Sequence, residues 1–186
     1  ARPPRAAPKM MAENARMNRL LAALPPSSLE RWLPHLELID MPLGQVLYES
    51  GIVERHAYFP ITAIVSVLYI TENGDSAEVA VVGCEGIVGI SLFMGGNSTL
   101  GRAEVLSAGM GFRLPAKFLK AEFDHFTGVG HLLLRYAQAL MTQMAQIAVC
   151  NRHHSLDRRL CRWLLLNLDR LSDNELVMTQ DLIAKM

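Results

Sequence analysis

Apolar and polar residues follow one another along this chain in three rhythms. Over residues 11–35, Leu20, Leu21, Leu24, Leu29 and Leu33 recur at the three- and four-residue spacing of a helix. Pro25-Pro26 interrupts that period, which predicts two helices, with Ser27 or Ser28 as cap of the second. Over 37–119 the rhythm shortens. Runs rich in Val and Ile, such as 63–70 and 78–82, are bounded by glycine corners, and Asn73-Gly74 between those two runs predicts a hairpin. Strand-like runs returning about every ten residues predict a sandwich or barrel. Helical spacing resumes over 126–152 and continues to the end. A helix of that length spans on the order of 40 Å, too long for the rim of a small sandwich.

Two apolar rows run along this helix. Leu133, Ala137, Leu140, Met144 and Ile147 are spaced four, three, four and three, as in a heptad seam, and Asn151 continues the row as a polar residue able to fix register. Leu134, Met141, Ala145 and Ala148 form a second row. The expectation is that the first row makes a homodimer seam and the second packs on the chain's own sandwich. Next, Ser155 is placed to cap a helix over 156–171, with Asp157 in its first turn, where the helix dipole favours an anion. Leu160, Trp163, Leu164 and Leu168 would be its core face. Arg158, Arg159 and Arg162 are candidates for DNA-backbone contact or, equally, members of a solvated face. After the turn at 172–174, Thr179 is placed to cap one more helix beginning at Gln180.

Composition narrows the function classes. Half of the 186 residues are apolar, and 18 basic side chains match 18 acidic ones, so net charge announces no nucleic-acid partner. Cys84, Cys150 and Cys161 are odd in number and form no CxxC pair, which fits free thiols in a cytoplasmic protein. No run reaches the roughly 18 apolar residues that a membrane span needs, and no membrane partner is expected. GxSxG, HExxH and Walker sequences are absent, and His35, His56, His125 and His131 are scattered. No catalytic residues, and no metal ligands, are expected; the protein reads as a binder rather than an enzyme.

The order of parts resembles the Crp/Fnr family of transcription regulators, named for the cyclic-AMP receptor protein. Four stretches carry the likeness: 42–51 (PLGQVLYESG), 58–67 with its Tyr58-Phe59-Pro60, 83–89 (GCEGIVG), and 159–164 (RLCRWL). The resemblance implies an α+β chain. Residues 1–17 precede the resemblance and, with Pro and Arg but no apolar core at their start, read as a flexible arm. Residues 18–123 would be a sensor domain, a cyclic-nucleotide-binding-type double-stranded β-helix or jelly roll. Residues 124–152 would be a dimerisation helix, and 153–186 the incomplete start of a winged helix-turn-helix, with Thr179 and Gln180 contacting the DNA backbone. DNA, a second copy of the chain and a small-molecule effector would be its partners. The alternative is a stand-alone cyclic-nucleotide-type sensor module acting on a protein partner.

The same resemblance places an effector pocket at Glu85, Gly86, Ile87, Val88, Gly89, Arg102 and Ala103. Backbone N–H groups of the glycine loop would hold a phosphate, and Arg102 would complete its charge. Ala103 stands where cyclic-AMP binders carry Ser, and Ile90 where they carry Glu. An unpaired ribose hydroxyl costs on the order of 1–3 kcal/mol. Cyclic AMP is therefore expected to bind weakly or not at all, and no cofactor is assigned. Arg102 has a structural alternative, a pair with Glu85 or Glu104.

Overall fold

The computed structural model describes residues 8–96, 98–124 and 128–171. Thr179 and Gln180, with the expected start of a helix-turn-helix, lie outside the described residues. Two antiparallel sheets make a roll. One has the order β1 (Glu37–Met41), β7 (Gly109–Pro115), β3 (His56–Pro60); the other runs β2 (Val46–Tyr48), β6 (Gly101–Ser107), β4 (Ile64–Ile70), β5 (Ser76–Val82). This is the expected cyclic-nucleotide-binding-type jelly roll with flanking helices.

Three apolar clusters explain how the strands sit. Between the sheets lie Met41, Ala63, Val65, Ala80, Val82, Val88, Ala103 and Val105. Outside the three-stranded sheet, Ala57, Phe59, Phe112 and Leu114 face α2 (Arg19–Ala22), α3 (Pro26–Trp32), α4 (Ala116–Asp124) and the start of α5 (Gly128–His153). Outside the four-stranded sheet, Ile64, Val81 and Leu106 meet Trp163 of α6 (Leu156–Leu168). β4 thus has covered faces on both sides, which is why 63–70 reads as a continuous apolar run and not as an alternation.

The hairpin joins β4 to β5 with Ile70 opposite Ser76, through a loop over 71–75 in which Gly74 takes φ +86°. At the outer edge of the sheet, the Val81 N–H donates to Gln143 Oε1 of α5 at 2.7 Å, so a helix covers that edge. Two local expectations are corrected. α3 begins at Pro26 with Pro25 in the capping position, because proline needs no N–H partner there; neither Ser27 nor Ser28 is the cap. Of the stretch 1–17, expected as an arm, residues 1–7 lie outside the described residues, while α1 (Pro8–Ala15) occupies its second half, anchored by fully buried Ala15.

Asn18 pins this helical lead-in to the roll. It is fully buried. Its Oδ1 accepts from the Leu21 N–H at 3.0 Å, and its Nδ2 donates to the Pro60 and Gly86 carbonyls at 2.8 and 2.9 Å. Asn18→Ala orphans a cap and two buried carbonyls together. The expected loss is about 2–4 kcal/mol in urea unfolding; a loss under roughly 0.5 kcal/mol would show that these bonds are replaceable by water.

Candidate functional site

The glycine loop is closely packed from several sides. Val88 exchanges both backbone hydrogen bonds with Tyr58 of β3, at 2.8 and 3.0 Å. Ile87 points into the helix-side cluster and Val88 into the roll, both fully buried. Gly89 takes φ +103° just before a 3-10 turn, Ile90–Leu92. Tyr136 of α5 lies over Gly86: a Cβ there would collide with its ring and hydroxyl, so only glycine fits. Tyr48, Tyr58 and Tyr136 border the interior, and burial pushes the hydroxyls of all three above the ordinary tyrosine value. Buried Glu54 reaches toward Gly89, and burial raises its carboxyl as well, against a lowering pull from Ser91 and Lys120.

Arg102 lies on β6, and its guanidinium is engaged by a residue that neither structural alternative named. Its Nε donates to Glu49 Oε1 at 2.7 Å, with both side chains more than a third exposed or close to it. Glu85 instead binds Arg170, and Ala103 is fully buried inside the roll. The structure thus places Ala103 and Val88 in one apolar cluster, and turns Arg102 and Glu85 toward other partners.

The two rows of α5 sit the opposite way round from the expectation. Leu133, Ala137, Leu140 and Ile147 are buried within the single chain, and Met144 is half-buried against the roll. The face left open holds Leu134, Met141, Ala145 and Ala148, with Val149 at its flank. The physical reason is bulk: the row with the larger side chains fills the roll's own core. Met144, Ile147, Ala148 and exposed Asn151 also line a cleft of about 460 Å³, closed on its other side by Val67, Tyr69 and Ala77 of the β4–β5 hairpin and by Thr99.

α6 docks on the outer face of the four-stranded sheet. Trp163 is 1 % exposed, and its Nε1 donates to Glu78 Oε1 at 2.7 Å. Ser66 Oγ donates to Glu78 Oε2 at the same distance. Burial pushes the Glu78 carboxyl up to about 7, against the opposing pull of these two bonds and of the Arg162 and Arg170 charges. Arg158 is exposed on the far side of the helix, whereas Arg159 and Arg162 are half-buried. Ser155 occupies the cap position without a side-chain cap bond. Sequence reasoning missed Glu49, Glu54 and Glu78. Glu78 carried a signal, a carboxylate inside an apolar strand run.

Among the described residues no helix is long and apolar enough to cross a membrane, and no three His, Cys, Asp or Glu side chains converge as a metal site. No family model and no curated protein sequence matches the chain. Solved structures do. A protein from Eubacterium rectale assigned to the Crp/Fnr family of transcriptional regulators superposes with a TM-score of 0.74 at 14 % identity, over 91 % of this chain and 80 % of that one. The sensor domain of the transcriptional regulator DNR from Pseudomonas aeruginosa matches with a TM-score of 0.51 at 17 % identity, over 91 % and 98 %. The regulatory subunit of a cAMP-independent protein kinase A from Trypanosoma brucei matches with a TM-score of 0.61 at 14 % identity, over 70 % of this chain. This chain spans about half the length of that subunit, 47 %. At these identities the likeness establishes the fold.

Proposed function

We propose that this chain is the sensor and dimerisation part of a Crp/Fnr-type transcription regulator, which senses an effector in its β-roll and binds DNA as a homodimer. The open face of α5 carries the reading. Between Arg135 and Arg152 the helix has no charged side chain, yet Met141 and Val149 within that stretch, and Leu134 just before it, are each about half exposed. A solvated helix face is ordinarily charged, and an uncharged one of about four turns fits a second copy of the same helix. Leu134, Gln138, Met141, Ala145 and Ala148 are spaced four, three, four and three, with Gln138 as the polar register residue. The segment after α6 would read the DNA, with Arg158 toward the phosphates.

The effector site is the cleft between the β4–β5 hairpin and α5. Its lining is apolar apart from Tyr69, Thr99, Asn151 and Glu78, and both Glu78 oxygens already accept hydrogen bonds. Such a lining favours an uncharged small molecule over a nucleotide phosphate. Titration calorimetry with cyclic AMP is expected to give no site of micromolar affinity or tighter; a micromolar site would overturn this assignment of the pocket.

The native gene product tests the whole reading. Capture of genomic fragments followed by footprinting is expected to show two protected half-sites about one helical turn apart. A dimeric product that protects no DNA would favour the sensor module acting on a protein partner.

A further inference from the structure

The loop over 83–89 is gripped from outside by Arg170, in the turn that follows α6. Arg170 Nε donates to Glu85 Oε1 at 2.7 Å, and its Nη1 donates to the Leu166 carbonyl at 2.6 Å, so the helix itself aims the guanidinium. The Arg170 stem lies on Gly83, where a Cβ would come within 2.8 Å of it. The Gly83 N–H also donates to Glu85 Oε1, at 3.3 Å. The ion pair is largely withdrawn from water, with the side chains 11 % and 30 % exposed. Trp163, seven residues earlier and within α6, holds Glu78 of β5, the strand that leads directly into this loop.

We propose that α6 and the 83–89 loop form a single lock, in place together or released together. Trp163 lies on α6 and Arg170 in the turn that closes it, tied back to the helix through the Leu166 carbonyl, so the ion pair and the Trp163–Glu78 bond hang on one continuous segment. Breaking either leaves a half-buried or buried carboxyl short of one of its two hydrogen-bond donors and loosens the other contact. A ligand that rearranges the loop therefore frees α6, and a partner that draws α6 away opens the loop, with equal coupling in both directions. The lock rests on contacts within this chain alone. Its consequence for DNA binding rests on the reading above.

Hydrogen exchange on the full chain at neutral pH tests the lock. Arg170→Met keeps the stem on Gly83 and removes the guanidinium; amides over 160–168 are expected to exchange about 10-fold faster. Trp163→Phe keeps a ring and removes the donor to Glu78. The amides of Gly86 and Val88, in the loop, are expected to speed up by a similar factor, with α5 over 137–147 at its parental rate. Accelerated α6 beside an unchanged loop in Trp163→Phe would overturn the lock and leave simple helix packing. Should that variant lose α6 altogether, Glu85→Gln makes the comparison from the loop side: about 10-fold faster α6 exchange supports the lock, and parental rates refute it. A native product that binds no DNA would leave these exchange results untouched, so the two readings fail separately.

Discussion

Glu78→Gln is expected to stabilise the protein at pH 8, by on the order of 2–3 kcal/mol. In the unfolded chain this carboxyl titrates near its ordinary 4.5; in the folded protein burial holds it to about 7. As pH rises through that window the unfolded state loses its proton first. Stability contributed by the protonated folded form is fully present below about 4.5, drains away toward 7, and stays lost above. Gln has no proton to lose. Its carbonyl can accept from Trp163 Nε1, and its amide can donate to Ser66 Oγ, so both existing bonds keep a partner. Arg162 and Arg170 are the charges that face this carboxyl, and they limit the gain because they favour its ionised form. Urea unfolding at pH 5 and pH 8 decides the matter. The parental protein should weaken between the two, and the variant should not. Glu78→Ala is the control: it orphans the buried Trp163 Nε1 and opens a cavity, so it should destabilise at either pH. Equal stability of Glu78→Gln and parent at pH 8 would mean that the folded carboxylate is ionised at no cost.

Because Glu78 lies where α6 meets the sheet, its ionisation acts on one contact more than on the rest of the fold. Raising pH through neutrality should loosen α6 before the roll. In the Glu78→Gln variant the helix should stay down across the same range. That links a single strand position to the mobility of the helix that precedes the proposed DNA-reading segment.

Much of the roll is legible in the sequence because its signals are local. The run 63–70, the Asn73-Gly74 turn and the long helical period each state their own conformation, and the structure places β4, β5 and α5 there. What the sequence hides is long-range. Arg170 and Trp163 find their partners Glu85 and Glu78 each 85 residues away, a separation at which spacing says nothing. The structural alternative offers Arg102 the carboxylates of Glu85 and Glu104; the Glu104 charge does favour its guanidinium, but β2 and β6 pair, with Tyr48 opposite Ala103, and this brings Glu49 into the hydrogen bond. The α5 rows mislead differently. Both are apolar at heptad spacing, so periodicity cannot choose between them. The choice follows from volume, since Leu133, Leu140 and Ile147 fill the space the roll leaves, while Ala145 and Ala148 do not need to.

That exchange of rows turns on neighbouring residues, so a pair of substitutions separates the alternatives. Met141→Glu is expected to convert a dimer into a folded monomer. Met141 is 52 % exposed in the single chain, and Glu keeps good helix propensity, so folding stability should change by no more than about 0.5 kcal/mol. In a two-fold pair of helices each seam residue meets its own copy or a near neighbour. Two carboxylates would then be buried face to face, at a cost of several kcal/mol, enough to shift dissociation by roughly three or more orders of magnitude. Leu140→Glu should do something else. Leu140 is 5 % exposed and packs on Val88, Ala103 and Val105 inside the roll. An unpaired charge there costs more than the about 2–5 kcal/mol of a simple truncation, and the roll itself should unfold. Sedimentation with circular dichroism reads both variants. A Met141→Glu protein that still sediments as a dimer would remove the open face from the interface. A folded but monomeric Leu140→Glu protein would return the seam to the row that starts at Leu133. In that case the roll would have to give up its own core residues to the partner. A parental chain of 20.6 kDa that sediments at that mass would leave the uncharged face of α5 in search of a different kind of partner.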